Sequence, residues 1–243
     1  MAKPASKYIK NVNLKEFLRE NNDRQRHSET SVWKMRIWQA TVSISFVVKR
    51  VIDIILSIAA LVVLSPLFLL LALGVKLSSH GPVFFVQLRV GRYGRYFHFY
   101  KFRSMYVDAE KRKQELLSQN QSSDGVIFKM KNDPRITPLG RILRKTSMDE
   151  LPQFLNVLFG DMSLVGPRPP LPSEVAQYTL EDRKRLDIKP GLTCLWQIKG
   201  RSDIPFKEQV GLDKMYIQSQ SLWTDFLILL KTIPTIISGR GAY

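Results

Sequence analysis

Between Ile54 and Val75 the chain runs for 22 residues without a charged side chain. As one straight helix, this stretch would measure roughly 33 Å, enough to cross the hydrocarbon core of a bilayer. The core helix of a soluble protein is seldom uncharged over such a length. A signal peptide does not explain the run either, because it starts more than fifty residues in and no small-residue cleavage site follows it. Its middle carries Ser65-Pro66. A proline removes one backbone donor and clashes with the preceding turn, so it kinks or breaks a helix. The Ser65 hydroxyl stands where it can bond the carbonyl left open.

Charge constrains how such a run can sit. The chain has 243 residues, 37 Lys+Arg and 21 Asp+Glu, for a net charge of +16. Residues 1–50 carry a net +7 and residues 76–243 a net +10. Basic segments stay on the cytoplasmic side, so a simple span would force one of them across. A kinked single span and a re-entrant hairpin both satisfy the proline, but only the hairpin keeps both basic flanks on one face. The hairpin is therefore the expected arrangement, bent near Ser65 and Pro66, with Asp53 close to its shallow start. The charge also matches nucleic acid, but no finger, RRM or helix-turn-helix pattern accompanies it. The single Cys194 excludes a disulfide framework, and His27, His80 and His98 are too scattered for a His-rich metal site.

Residues 1–30 are polar, mixed in charge and aperiodic, and are expected as a mobile arm. Residues 31–50 interleave Trp33, Ile37 and Trp38 with Lys34 and Arg36, a pattern suited either to a headgroup-level amphipathic helix or to core packing. The strand-forming stretches 82–90 and 96–102 flank Gly91-Arg-Tyr-Gly94, which predicts a β-hairpin. Its basic turn reads as a solvated tip or as a contact for phosphates or headgroups. A helix is expected over 104–119, then a polar loop over 118–125, then helices near 151–159, 173–186 and 205–219. The last helix, from about 222, places Trp223, Phe226, Leu227, Leu230 and Ile233 on one face, as an interfacial or a buried helix would. The fold class is thus α+β and mainly helical, with a small β-hairpin. Its expected domains are an arm (1–45), a re-entrant membrane helix (46–78) and a catalytic domain (79–243).

The chemistry concentrates in Arg144-Lys-Thr-Ser-Met-Asp149-Glu150-Leu-Pro152. Pro152 belongs in a helix's first turn, so Asp149 is expected as the N-cap, at the positive end of the helix. There, with Arg144 nearby, its ionised form would be favoured at neutral pH, as a nucleophile requires. In an arbitrary protein a capping role alone would be the favoured explanation of Asp149. Phosphate chemistry needs cations against developing charge, and Arg144, Lys145 and Arg168 can supply them. Arg168 lies between Pro167 and Pro169, which restrict its direction. A divalent metal on Asp149 and substrate oxygens would serve the same end, and Mg²⁺ suits such a site. Neither a P-loop nor a dinucleotide fingerprint is present.

Several long motifs occur in a fixed order: KRVIDIILS (49–57), GPVFFVQLRVGRYGRYFHFYKFRSM (81–105), NDPRITPLGRILRKTSMDELPQFLNVLFGDMSLVGPRPP (132–170), KPGLTCLWQIKGRS (189–202) and SGRGAY (238–243). On these the chain resembles the bacterial sugar transferases, the monotopic polyprenyl-phosphate phosphoglycosyltransferases. The resemblance implies a monotopic protein on the cytoplasmic face of the bacterial inner membrane, held by an anionic lipid bilayer. It implies Mg²⁺-dependent transfer of a phosphosugar from a nucleotide sugar, a UDP-hexose, to polyprenyl (undecaprenyl) phosphate, releasing UMP, as the first membrane step of exopolysaccharide assembly. It makes Asp149 the nucleophile of a phosphosugar–aspartyl intermediate, Glu150 its partner, and Arg144 and Arg168 phosphate contacts. The long ending through Trp223 to Tyr243 resembles exopolysaccharide-initiating members, which implies glucose or galactose. Larger members carry four further helices upstream, so a minimal module is expected here, with room for a membrane partner or a homo-oligomer. Cys194 replaces the family's usual Gly, which bears on the local turn. A basic membrane-surface scaffold without catalysis is the alternative reading; it explains the apolar run and the charge but not the Asp-Glu pair.

Overall fold

The computed structural model describes residues 14–116, 120, 128, 130 and 132–239. The chain divides into two compact units, residues 1–48 and 49–243. Helix α1 (Leu14–Val63) begins in the first. The segment expected as a mobile arm is therefore helical from Leu14. It is rich in good helix formers, and the lack of an apolar stripe says only that it has no broad face to bury. Trp33, Lys34 and Arg36 are exposed, while the side chains of Ile37 and Trp38 lie outside the described residues.

In the second unit, α1 reaches the break foreseen at Ser65-Pro66 and helix α2 (Ser65–Ser78) leaves at a bend of 63°. The cause is local. Pro66 cannot donate to the carbonyl of Val62, and the Ser65 hydroxyl donates to that oxygen instead at 2.8 Å. Among the described residues no single helix is long and apolar enough to cross a membrane. On α2, Leu71 and Val75 are buried with Phe102 and Leu143, while Leu69, Leu70, Leu73 and Leu77 are exposed.

Strands β1 (Phe84–Val90) and β2 (Tyr96–Phe102) form the expected antiparallel hairpin, with Phe85 opposite Lys101 and Gln87 opposite Phe99. Its tip is a 3-10 turn, Arg92–Gly94, in which Tyr93 is exposed and Arg92 donates to the carbonyl of Asp187. The helix expected over 104–119 is confined, among described residues, to α3 (Ala109–Glu115), because Met105 instead pairs with Ile136 as a β-bridge. Most of the polar loop over 118–125 lies outside the described residues.

Helices α4 (Pro138–Lys145) and α5 (Gln153–Phe159) flank the Asp-Glu pair. Strand β3 (Ser163–Val165) then pairs in parallel with β4 (Gly191–Thr193). Between them the helix expected over 173–186 is broken into α6 (Pro172–Val175), α7 (Leu180–Arg183) and a 3-10 turn. Thr179 breaks it: its backbone is extended, and its side chain exchanges capping bonds with Asp182, which starts a new helix. Three helices close the unit: α8 (Leu195–Lys199), α9 (Phe206–Gln218) and α10 (Leu222–Ser238). On α10, Asp225 and Ile228 are buried, Leu227 is half-buried, and Trp223, Phe226, Leu230 and Ile233 are exposed.

The core gathers Phe97 and Phe99 of β2 with Val157, Met162, Leu164, Val165, Tyr216 and Ile228. The root of the broken helix is fastened to it. Arg50 donates to the carbonyls of Val157 and Leu158 at 2.6 and 2.9 Å, Lys49 pairs with Asp225, and buried Asp53 accepts the Leu164 N–H at 3.1 Å. Elsewhere, Arg185 and Asp213 form a close buried ion pair at 2.6 Å.

Candidate active site

The chain reaches Asp149 through a 3-10 turn, Met148–Glu150, entered by Ser147 in the left-handed conformation (φ 56°). α5 starts only at Gln153, with Pro152 at its N-cap, so Asp149 is not the cap that was expected. The missing N–H of Pro152 explains the difference. The segment is instead held by i→i−3 bonds, Leu151 to Met148 and Phe154 to Leu151.

Asp149 is buried, 5% exposed. Burial pushes its carboxyl above the usual aspartate range; Lys101 pulls it back, and the neighbouring Glu150 charge adds to the rise. The expectation that the surroundings favour the ionised form over that of a free aspartate is thus corrected in direction, because burial outweighs the cations. Glu150 behaves oppositely. Burial works against its charge, but Arg168 and Lys101 prevail and hold it well below the usual range. The geometry accounts for the split. Lys101 Nζ lies 2.7 Å from Glu150 Oε1 and 3.4 Å from Asp149 Oδ2, and Arg168 Nη2 lies 2.9 Å from Glu150 Oε1. Two adjacent carboxyls pushed in opposite directions form the pattern of a divided acid–base or nucleophile–partner role.

Arg168 is aimed by its backbone. Gly191 N–H donates to Pro167 O at 2.8 Å, Val90 N–H to Pro170 O at 3.0 Å, and Arg89 Nη1 to Pro169 O at 3.0 Å. The approach of β4 is so close that a Cβ on Gly191 would lie 2.0 Å from Gly166 N. Burial works against the charge of Arg168, yet Glu150 raises it further.

The four site residues Asp149, Glu150, Arg168 and Arg144 come together. Arg144, half-buried at the end of α4, acts on Asp149 through its charge. Lys145 points elsewhere; it is exposed, and its side chain runs beside Gly239 at the end of α10. Three cations were not foreseen. Lys101 sits on β2. Arg89 on β1 stacks over Phe99 at 5.2 Å and is pushed down to about 10 by burial and by Arg168. Arg201 lies in a 3-10 turn, Arg201–Asp203, after α8. A signal for Lys101 was available: strand alternation puts it on the inward face with Phe97 and Phe99, where a charge needs a partner.

Among the described residues no three His, Cys, Asp or Glu side chains cluster as a protein-built metal cage would require. The two adjacent carboxylates still fit Mg²⁺, which takes one or two carboxylates and completes its shell with phosphate oxygens and water. Cys194 adopts an ordinary extended backbone (φ −151°), so the residue in place of Gly meets no strain. Its buried thiol donates to Gln197 Oε1 at 3.2 Å and is pushed up by burial.

A buried carboxyl beside an anion held by two cations is an arrangement that phosphoryl chemistry would require. The model of the bacterial sugar transferase family matches residues 44–239, and the chain belongs to that family. It is 49% identical over 197 residues to the galactosyl transferase CpsE of Streptococcus agalactiae, covering 81% of this chain and 43% of that protein. It is 44% identical over 198 residues to the undecaprenyl-phosphate galactose phosphotransferase of Salmonella typhimurium, covering 80% of this chain and 41% of the relative. With the exopolysaccharide production protein ExoY of Sinorhizobium fredii it shares 42% over 198 residues, covering 80% and 88%. The chain thus spans less than half the length of the first two relatives and most of the third.

Proposed function

We propose that this chain is a phosphoglycosyltransferase moving a sugar 1-phosphate from a UDP-hexose to polyprenyl (undecaprenyl) phosphate. The observation that carries the reading is Asp149, buried and poised beside a Glu150 that Lys101 and Arg168 hold ionised. An Asp149 carboxylate oxygen attacks the phosphorus bonded to the sugar. The bond from that phosphorus to the bridging oxygen breaks, and UMP leaves with the electron pair. A polyprenyl-phosphate oxygen then attacks the aspartyl phosphosugar, giving the polyprenyl-diphosphate sugar and restoring Asp149. Lys101, Arg168 and Arg144 neutralise phosphoryl charge, and Glu150 fixes the first two cations. Asp149, with substrate phosphate oxygens, would hold Mg²⁺, which supplies further charge neutralisation when bound.

The broken α1–α2 pair is read as a re-entrant hairpin on the cytoplasmic face. The bend, the exposed leucines of α2 and the exposed apolar stripe of α10 support a monotopic seat in an anionic inner leaflet. Labelling cysteines placed at residues 10 and 120 tests it: both should react from one side, and reaction from opposite sides rules the hairpin out.

The test of the chemistry is release of UMP from a panel of UDP-sugars with undecaprenyl phosphate and Mg²⁺. Wild type should turn over at least one donor, and labelled donor without acceptor should leave label on the protein. Asp149→Asn should abolish both. Turnover that persists in that variant overturns the assignment.

A further inference from the structure

Three non-glycine residues among those described have left-handed backbones: Tyr93, Ser147 and Arg201. Tyr93 is at an exposed hairpin tip, where such a conformation is ordinary. The other two touch, with Arg201 Nη2 donating to Ser147 Oγ at 3.3 Å. Residues held in sparsely populated backbone regions persist only where their surroundings impose them, and they gather at functional sites. Here both strained residues serve one contact, and that contact grips the turn bearing Asp149 and Glu150.

The charge of Arg201 is not consumed by this contact. Among the described residues no carboxylate lies within ion-pair distance of it, and its Nη1 is buried without a hydrogen-bond partner. A guanidinium nitrogen shut away from water and left unbonded is costly unless a ligand completes it. The groups acting on it electrostatically are Glu150, Arg168 and Asp149, which places it within the field of the site. Lys101 and Arg168 are already engaged by Glu150, whereas Arg201 keeps an open donor.

We infer that Arg201 is a further substrate-binding residue, whose open Nη1 takes a phosphoryl oxygen of the substrate while Ser147 holds the guanidinium in place. The inference rests on the phosphosugar transfer proposed above and deepens it. The oxygen can come from the diphosphate of the donor or from the lipid phosphate of the acceptor.

The full-length chain in detergent tests this with Arg201→Gln, Arg201→Lys and Ser147→Ala. UDP binding is measured by calorimetry, and KM for each substrate from UMP release. Arg201→Gln should weaken UDP binding, or raise one KM, by about tenfold to a hundredfold. Arg201→Lys should recover part of the loss, and Ser147→Ala should fall between wild type and Arg201→Gln. Weaker UDP binding assigns the oxygen to the donor; a raised acceptor KM with UDP binding intact assigns it to the lipid. Where the oxygen is the donor's, UDP should also raise the melting temperature of wild type more than that of Arg201→Lys, a readout that does not depend on Arg201→Gln folding. UDP affinity and both KM values within twofold of wild type in all three variants overturn the inference. A wild type that binds UDP yet releases UMP from no donor would sink the transferase reading alone.

Discussion

Asn156 Oδ1 accepts the backbone N–H of Tyr100 at 3.1 Å, one residue before Lys101. The same amide donates through Nδ2 to the carbonyl of His98 at 2.6 Å, so a side chain of α5 pairs with β2 as a neighbouring strand would. α5 follows the turn of Asp149 and Glu150, and the amide therefore sets where Lys101 stands relative to both. Asn156→Ala should cost about 2–4 kcal/mol of stability, from two orphaned backbone groups. It should also lower kcat about tenfold through misplacement of Lys101. Asn156→Asp, which keeps the acceptor and loses the donor, should fall between. Denaturant melts and UMP-release kinetics measure the two effects.

The raised carboxyl of Asp149 has a kinetic signature. As the proposed nucleophile it must be ionised, so the acid limb of kcat/KM should lie above the ordinary aspartate range. Lys101 pulls that carboxyl down, and Lys101→Met should move the limb to still higher pH. A pH–rate profile of both proteins checks it. A limb that moves to lower pH in the variant contradicts the electrostatic account.

Asp213 offers a stability test away from the site. Burial raises its carboxyl from 3.8 to about 6 despite the neighbouring Arg185. The folded state therefore holds this proton more tightly than the unfolded chain. The corresponding stabilisation is full below pH 3.8 and is lost as pH rises to about 6, an effect of about 3 kcal/mol. Asp213→Asn should flatten the change in melting temperature across that window. It should also melt lower at neutral pH, because Arg185 is left buried without its counter-charge.

At Gly140 the second turn of packing leaves no room. A Cβ there would lie 1.9 Å from the carbonyl oxygen of Ser104, and the Gly140 N–H is bonded to Thr137 Oγ1 at 2.9 Å. Gly140→Ala should destabilise by about 1–3 kcal/mol although alanine is the better helix former. Since α4 carries Arg144 in its last turn, UMP release should fall as well.

What the residues disclosed in advance was whatever depends on local chemistry. Pro66 and Ser65 specify a break anywhere they occur in a helix, and alternating aromatics around Gly91 and Gly94 specify a hairpin. The Asp149–Glu150 pair stood out because adjacent acids between cations and a proline are rare. What stayed hidden depends on distant packing. Burial of Asp149, which reverses the expected shift, is a tertiary property. The recruitment of Lys101 and Arg201 joins residues about fifty positions away on either side. The interruption at Thr179 was locally encoded, but helix formers on both sides masked it. The helix from Leu14 lacked the apolar stripe by which amphipathic helices are recognised.

The fastening of Lys49, Arg50 and Asp53 to β3, α5 and α10 means that the broken helix is no detachable anchor. Cutting the chain beyond Asp53 would strip the Leu164 N–H and the carbonyl of Leu158 of their partners, and would leave the carbonyl of Val157 with the Gly160 N–H alone. A water-soluble catalytic fragment therefore cannot be trimmed out without opening its own core. The same weld works as a depth gauge. The elevation of Asp149 over the bend at Ser65 is set by the fold rather than by a linker, so in the re-entrant arrangement proposed above a lipid-borne acceptor would have to present its phosphate at one fixed height.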